Sequence, residues 1–282
     1  MSSIRLIKRR IKVARNISQI TKAMEMVAAS KMRKAQQKAV AGKPYAQKIY
    51  DVTHEVTGRI TSTGESIPLL KTNESLKKLI ILITTTKGLC GGLNTNLFRQ
   101  LNQWFSDRTE YDFVTFGKKG QSFILRTGRQ LVADFSNINY LDSVGALMDL
   151  ITIKFIDNTY QEVWLVYNNF ISILNQEPTK EMILPIINIE NNNPVNSDML
   201  MEPDPITLMN QLLPRYIEVS IRRAILEAEA SEHSARMIAM KNATDSANQL
   251  MENLTLDYNK VRQQMITYEI ADIVTAREAI QS

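Results

Sequence analysis

The chain has 282 residues, of which 44% are hydrophobic and 22% are charged, a balance typical of globular domains. A single cysteine, Cys90, excludes an internal disulfide and any metal site built from cysteines alone. No apolar run reaches the roughly 18 residues needed to span a bilayer, so we expect no direct insertion into lipid.

The formal net charge of +5 conceals a strongly basic first segment. Between Met1 and Lys48, Glu25 is the only acidic residue among 13 lysines and arginines. Such a segment is expected to meet an acidic partner, which can be nucleic acid, anionic lipid or protein. No aromatic residue precedes Tyr45, which disfavours both base stacking and anchoring in a membrane surface. An acidic protein surface is the best interpretation, and a basic coiled coil that binds nucleic acid is the alternative.

Both ends of the chain have the pattern of long helices. From Met1 to Ala41 there is no glycine or proline, and apolar or small residues recur every three or four positions. A mitochondrial presequence would also be basic and amphipathic, but this pattern continues for dozens of residues, which favours a permanent helix. Gly42 and Pro44 interrupt the pattern, and the residues after them can continue the helix. We predict an N-terminal coiled-coil helix over 1–57.

We predict a C-terminal coiled-coil helix over 205–282, because there is no glycine or proline after Pro214. Its apolar seam includes Ile217 and Ile221, slips near Ala243, and then continues through Leu250, Leu254, Val261, Met265 and Tyr268. Helices this long do not pack alone, and two of them at opposite ends of a chain can pack on each other. The sequence therefore predicts an antiparallel coiled coil.

The middle of the chain changes to a strand period, and we predict an α/β globular domain over 76–190. Short β-branched runs alternate with helical segments, which is typical of a mostly parallel, Rossmann-like sheet. Segments 62–75 and 191–205 have the composition of loops. The predicted strands are 76–84, 111–117, 130–135, 163–167 and 182–189, with the last two antiparallel, and the predicted helices are 93–105, 118–126 and 143–156.

The sharpest local motif is the glycine-rich segment 87–94 between the first strand and the first helix of this domain. A phosphate-binding loop would occupy that place, but the spacing fits neither the dinucleotide nor the P-loop pattern. We therefore favour a tight strand-to-helix turn over a nucleotide-binding enzyme.

Catalytic chemistry is poorly supported elsewhere. A catalytic Cys90 would need a nearby base, and the only histidines, His54 and His233, lie on the two terminal helices. Two histidines on separate helices also make a poor metal site. We predict a protein with no catalytic residue, no cofactor and no bound metal.

Several long motifs resemble the gamma subunits of F-type ATP synthases. Residues 20–34 (ITKAMEMVAASKMRK) resemble the N-terminal signature of that family, and residues 88–92 (GLCGG) resemble its central motif. Residues 202–204 (EPD) resemble a motif before the last helix. Residues 231–244 (SEHSARMIAMKNAT) and the segment from Asn259 to Val274 are similar to its C-terminal signatures. The resemblance covers the whole chain in order.

The resemblance implies a rotor without an active site of its own. The coiled coil would lie inside a ring of three alpha and three beta subunits, and the globular domain would lie on the membrane c-ring beside the epsilon subunit. The implied location is the cytoplasmic face of a bacterial inner membrane. Contacts to beta are implied for Met24, Lys22, Lys31, Arg33, Arg262, Gln263, Thr267 and Glu269, and Glu202 is implied at the foot, near the membrane ring or epsilon.

Overall fold

The computed structural model describes residues 4–60, 67–106, 110–186, 202 and 204–281. Much of the two predicted loops lies outside these residues, namely 62–66 of the first and 191–201 and 203 of the second. The described elements are α1 (Ile4–Ile60), a 3₁₀ turn (Pro68–Leu70), β1 (Lys78–Ile83), α2 (Leu93–Trp104), β2 (Tyr111–Phe116), α3 (Lys118–Arg126), β3 (Gln130–Asp134), α4 (Val144–Ile156), β4 (Glu162–Phe170), β5 (Gln176–Leu184) and α5 (Pro205–Gln281).

The terminal helices are continuous through their prolines. Helix α1 passes Gly42 and Pro44 without a break, and α5 includes Pro214. A proline inside a helix removes one backbone hydrogen bond, a loss that packing along the rest of a long helix can outweigh. At the start of α5, the Asp204 carboxylate accepts a hydrogen bond from the backbone N–H of Thr207 at 2.9 Å. This bond caps the helix and lowers the pKa of Asp204.

The five strands form one sheet in the order β3-β2-β1-β4-β5. Strands β1 to β4 are parallel, and β5 runs antiparallel to β4, as the sequence predicted. The edge strands β3 and β5 have exposed positions, whereas β1 at the centre is an apolar run with five buried residues. This placement explains why β1 reads as an unbroken hydrophobic segment.

Strand β1 supplies both faces of the sheet with core residues. Leu79, Ile81 and Ile83 belong to a cluster that also contains residues of α4 and α5. Ile80 and Leu82 face the opposite cluster, which contains residues of α2 and α3. The alternation follows from the two-residue period of a strand. The sheet is therefore covered by helices on both sides.

The last two strands are longer than the sequence indicated. Strand β4 extends to Phe170, and β5 begins at Gln176 instead of at residue 182. The added part is rich in polar residues and pairs Asn168 with Pro178, Asn169 with Glu177 and Phe170 with Gln176. These residues form the outer end of a hairpin, where one face is open to solvent, so the continuous apolar signal used to find strands is missing there. Residues 187–189 of the predicted strand lie outside the described residues.

The chain divides into two compact units. One unit contains Met1–Ala28 and Arg236–Ser282, and the other contains Ala29–Ala235. In the first unit, Ser18 contacts Asn248 and Thr21 contacts Thr244, so α1 and α5 run antiparallel. In the second unit, Tyr50 packs edge-on against Tyr216, and α5 also packs on the sheet. The predicted coiled coil and the α/β sheet are both present.

Candidate interaction surface

Helix α1 carries two apolar faces in the unit formed by Met1–Ala28 and Arg236–Ser282. On one face, Ile7 and Ala14 are buried. The other face keeps a three-and-four spacing but is exposed by 41% to 57% at each position. A helix with a second, exposed apolar face is suited to contact another molecule. We call this face the exposed stripe, and it consists of Leu6, Val13, Ile17, Ile20, Met24 and Val27.

The exposed stripe continues into a groove between α1 and α5. The groove has a volume of about 450 Å³ and includes Leu250 and Leu254 from α5. Arg9 and Arg10 also line it, so the apolar surface has a basic margin. Leu250 was predicted in the helix seam, but its side chain is 52% exposed, so that prediction was wrong.

Hydrogen-bonding residues replace apolar ones in part of the seam. Ser18 Oγ donates to Asn248 Oδ1 at 2.7 Å, and the hydroxyls of Thr21 and Thr244 are 2.7 Å apart. We call these four residues the polar layer. The spacing of apolar residues did not predict the polar layer, because its members are polar. The signal for it was the presence of small residues near Ala243, where the apolar seam slips. The seam therefore passes through Met240, Thr244 and Ala247, all buried.

Met24 and Lys22, two of the predicted contact residues, are exposed on α1. Met24 is 41% exposed and belongs to the exposed stripe. The Lys22 ammonium group lies 3.0 Å from the carboxylate of Glu25. This pair neutralises the only acid of the basic segment within its own helix. Lys31 and Arg33, which belong to the other unit, are also exposed.

From Arg262 to Arg277, α5 is exposed on every side. Residues 262–277 are all exposed, including the predicted contact residues Arg262, Gln263, Thr267 and Glu269. Met265 and Tyr268, which were predicted in the seam, are 45% and 62% exposed, so no part of the described chain covers them. The same segment exposes Ile266, Ile270, Ile273 and Val274. An isolated helix with this much apolar surface needs an external partner.

Glu202 is exposed, and its immediate neighbours Met201 and Pro203 lie outside the described residues. Among the described residues, no hydrogen bond or ion pair joins Glu202 to another predicted contact residue.

The glycine-rich motif forms a tight turn between β1 and α2. Gly91 adopts a φ of 58° and Leu89 a φ of 64°. In Rossmann-like folds, ligands bind outside the carboxyl ends of the strands next to such a turn. Here Ala228, Glu229 and Glu232 of α5 occupy that place and leave a cavity of about 10 Å³. That volume holds no more than one water, which supports a turn over a nucleotide site.

Cys90 is a buried residue of this turn. Its side chain is 3% exposed, and its sulfur accepts a hydrogen bond from the Asn94 amide at 3.5 Å. Asn94 also donates to the hydroxyl of Thr85 at 2.7 Å. These contacts hold the turn against the start of α2, which is a structural role.

Burial shapes the electrostatics of α5 where it packs in the larger unit. Burial raises the pKa of Glu229, and Lys38 opposes this shift. Burial also raises the pKa of Glu227, against the attraction of Arg223. For Glu218, hydrogen bonds from Arg222 and Arg215 outweigh the effect of burial and lower the pKa. Acids on one helix therefore differ in how strongly they favour the charged form.

Among the described residues, no helix is long and apolar enough to cross a membrane, and no cluster of three or more side chains is suited to hold a metal.

Comparison with known proteins gives a match over almost the whole chain. A family model described as ATP synthase matches residues 3–280. The ATP synthase gamma chain of Dehalococcoides mccartyi (strain CBDB1) is 41% identical over 286 residues, covering 99% of this chain and 100% of the relative. That of Chloroflexus aurantiacus (strain J-10-fl) is 38% identical over 290 residues and covers 100% of both chains.

Solved structures have the same fold. A rotor chain of the Euglena gracilis mitochondrial ATP synthase aligns with a TM-score of 0.65 at 19% identity, covering 93% of this chain and 98% of that one. A central stalk/c-ring chain from Tetrahymena thermophila aligns with a TM-score of 0.59 at 26% identity, covering 79% and 99%. The two long antiparallel helices, the inserted α/β sheet and the sequence match agree, and the chain belongs to the ATP synthase gamma chain family.

Proposed function

We propose that the chain is the central-stalk rotor subunit of an F-type ATP synthase, a non-catalytic part that couples ion flow through a membrane ring to ATP synthesis. The exposed stripe of α1 carries this proposal. It is an apolar face with regular spacing and basic residues at its margin, and none of the described residues covers it. A surface of this kind is suited to pass against several partners in turn, because exposed ion pairs contribute only about 1 kcal/mol or less each.

The mechanism rests on symmetry and differential contact. The described coiled coil is asymmetric, whereas the proposed ring of alpha and beta subunits has three similar catalytic sites. A partner changes a conformational equilibrium only by contacting one state more favourably than another. Rotation of the asymmetric helices would give each beta subunit a different contact at any instant. Each site would then pass in turn through binding, synthesis and release.

We assign the contacts by segment. Met24, Lys22, Lys31 and Arg33 would face acidic levers of beta, and Arg262, Gln263, Thr267 and Glu269 would form the bearing at the end of α5. All eight side chains are exposed, as such contacts require. Glu202 would lie at the foot, near the membrane ring or epsilon. In this arrangement the helices over 1–57 and 205–282 form the shaft and residues 76–190 the globular domain.

The proposed partners are the alpha and beta subunits, the epsilon subunit and the membrane c-ring. The chain would be a peripheral component of the membrane-bound complex. Its place would be the cytoplasmic face of a bacterial inner membrane. The bases on α1 would serve protein contacts, without nucleic acid or a cofactor.

The test is reconstitution with purified alpha and beta subunits. We expect one complex that hydrolyses ATP, whereas the chain alone does not. A bead attached through a cysteine at position 202 should rotate and pause at three angles, because the ring has three catalytic sites. ATP turnover by the chain after removal of alpha and beta would refute the proposal. Binding to generic DNA in place of the ring would favour the alternative of a nucleic-acid-binding coiled coil.

A further inference from the structure

The ammonium group of Lys180 lies among three aromatic rings in the unit formed by Ala29–Ala235. Its Nζ atom is 5.7 Å from the ring centroid of Trp104, 5.7 Å from that of Phe105 and 5.3 Å from that of Trp164. A cation within about 6 Å of an aromatic face is attracted by the negative charge of that face. We call these three rings the aromatic cage, and none of them belongs to the contact residues assigned above.

The aromatic cage is built from separate elements that hold its rings in place. Trp104 ends α2 and Phe105 follows it, whereas Trp164 belongs to β4 and Lys180 to the neighbouring β5. Phe105 packs edge-on against Trp164, with 6.1 Å between the ring centroids. The indole N–H of Trp164 donates to Glu162 Oε2 at 2.7 Å. The rings are therefore fixed by contacts of their own and do not depend on the lysine.

The three rings are the partners of the Lys180 side chain. Among the described residues, it forms no ion pair and no hydrogen bond. A lysine on an edge strand such as β5 also discourages pairing with another chain. That role needs only a charge in solvent, so it does not explain why the side chain folds over three rings. Methyl groups on Nζ would break no hydrogen bond within the described chain.

The distances leave room for methyl groups between Nζ and the rings. A methyl carbon lies roughly 1.5 Å from the nitrogen that carries it. Subtracting this bond leaves about 4 Å between a methyl carbon and a ring centre, which is ordinary van der Waals contact. A bare ammonium group leaves this gap unfilled. Its nitrogen carries three hydrogens and the cage has three rings, so each methyl group of a trimethylated nitrogen can face one ring.

We propose that Lys180 is a methylation site and that its trimethylated form fills the aromatic cage. The methyl donor would be a sulfonium compound of the S-adenosylmethionine class, used by a separate methyltransferase. In each round Nζ first gives a proton to solvent, and its lone pair then forms the new N–C bond. The S–C bond of the donor breaks, and the donor leaves as a neutral thioether. Lys180 is exposed, so a transferase can reach it.

Trimethylation would give the cage a permanent occupant. It keeps the positive charge of the lysine and removes its N–H donors, so water competes less well with the rings. A trimethylated nitrogen has no proton to lose, so its attraction to the rings persists at every pH. The modification would hold β5 against the end of α2. This inference does not rest on the rotor assignment.

The first experiment is mass spectrometry of the complex purified from cells that make it naturally. We expect three methyl groups on Lys180. Lys77 is the internal control, because its side chain is 57% exposed but lies near Asp112 instead of aromatic rings. It should carry none. Fewer than three methyl groups on Lys180, an acetyl group there, or equal methylation of Lys77 would overturn the proposal and would leave the rotor assignment intact.

The second experiment tests how the cage responds. Trp104 and Trp164 are the only tryptophans of the chain, so indole fluorescence reports on the cage alone. Alkylation of Lys180→Cys with a trimethylammonium-ethyl group recreates the trimethylated side chain, and an aminoethyl group recreates lysine as the matched control. Cys90 is buried and so does not react in the folded chain.

We expect the trimethylammonium chain to emit at shorter wavelength than the aminoethyl chain, because methyl groups displace water from the rings. Its equilibrium constant for folding should be at least about twofold higher, the effect of a modest cation–π contact. Trp104→Ala should abolish this difference in stability. Identical emission and stability of the two alkylated chains would overturn the inference.

Discussion

Gly117 lies at the junction of β2 and α3, with a φ of 93° that residues with a side chain rarely adopt. A Cβ atom built there would lie 2.2 Å from the backbone oxygen of Thr84. Both the conformation and the contact therefore require glycine. The close approach brings β2 and the start of α3 against the end of β1.

We predict that Gly117→Ala lowers the free energy of unfolding by at least about 2 kcal/mol, because it adds strain and a clash with backbone. Urea unfolding of the purified chain measures the change. Gly145→Ala is the matched control, since nothing lies within 4 Å of a Cβ built there and alanine favours helix. Equal stability of the two variants would contradict the prediction.

Glu229 gives a pH-dependent prediction. Its pKa is raised chiefly by burial, so the folded state holds the proton to higher pH than the unfolded state does. Stability therefore falls as pH rises from the unfolded pKa, about 4.3, through the folded pKa. We expect Glu229→Gln to raise stability at pH 7 by about 1 kcal/mol or less and to have no such effect near pH 4.

Glu218 provides the opposite case on the same helix. Although burial raises its pKa, the hydrogen bonds from Arg222 and Arg215 prevail and lower it. Glu218→Gln should therefore reduce stability at pH 7, and the loss should disappear as pH falls below the folded pKa. If both glutamine variants shift stability in the same direction, the electrostatic account of α5 is wrong.

At the scale of the helices, the polar layer fixes the pairing of α1 with α5. Ser18 Oγ and Asn248 Oδ1 are 2.7 Å apart, so the two positions face each other. We predict that Ser18→Cys combined with Asn248→Cys forms a disulfide under mild oxidation. Ser18→Cys with Gln249→Cys is the control, because Gln249 is exposed. Faster crosslinking of the control pair would mean a different register.

The exposed end of α5 gives a second prediction at this scale. Ile266 and Ile273 are 47% and 69% exposed, so replacing both with glutamate removes little packing within the described chain. We expect unchanged unfolding of the chain but at least about tenfold weaker assembly with alpha and beta subunits. Replacing both with leucine keeps the apolar surface and should preserve assembly. Loss of chain stability in the glutamate variant would show that this segment is covered within the chain.

At the scale of the whole molecule, the basic charge of α1 is better explained by partners than by folding. Arg5, Lys8, Arg9 and Lys12 are exposed, and they form like-charged neighbours four residues apart. Such neighbours destabilise a helix by about 0.2–0.5 kcal/mol per pair. Changing all four to glutamine should therefore leave the chain equally or more stable. Assembly with the ring should weaken and lose much of its salt dependence, which titration at several ionic strengths measures.

Strong local patterns made most of the fold predictable. The buried run of β1 and the amphipathic α3 were found at nearly their observed bounds, because each is long enough to show its period. The start of β5 was not predicted at its observed residue, because the residues from Gln176 onward are polar on the solvent-exposed side of a hairpin. Proline positions did not indicate where helices end, because α1 and α5 continue through Pro44 and Pro214.

The surface was harder to predict than the fold. Ile17 and Ile20 keep the three-and-four spacing from which the N-terminal helix was predicted, yet they are 45% and 57% exposed. The packed positions near them are Ser18 and Thr21, whose hydroxyls pair across the helices. Nothing in a single sequence tells which of two apolar faces meets its own chain and which meets another protein. The position of α5 over the carboxyl end of β1 was likewise unpredictable. It brings Ala228 and Glu229 next to Ile83 and Thr84, which are over a hundred residues earlier in the chain.

The attachment of α5 to the β4–β5 hairpin by hydrogen bonds has a mechanical consequence. Ser231 Oγ donates to the backbone oxygen of Asn168 at 2.9 Å, and Ser234 Oγ donates to that of Ile173 at 2.7 Å. Apolar contacts resist separation but allow surfaces to slide, whereas hydrogen bonds depend on direction and resist slip. Torque applied to the sheet would therefore be transmitted to α5 through the hydrogen bonds of these two serines, and the helix would not rotate relative to the sheet. The contact of α5 with the β4–β5 hairpin would then transmit rotation as well as hold the two parts together.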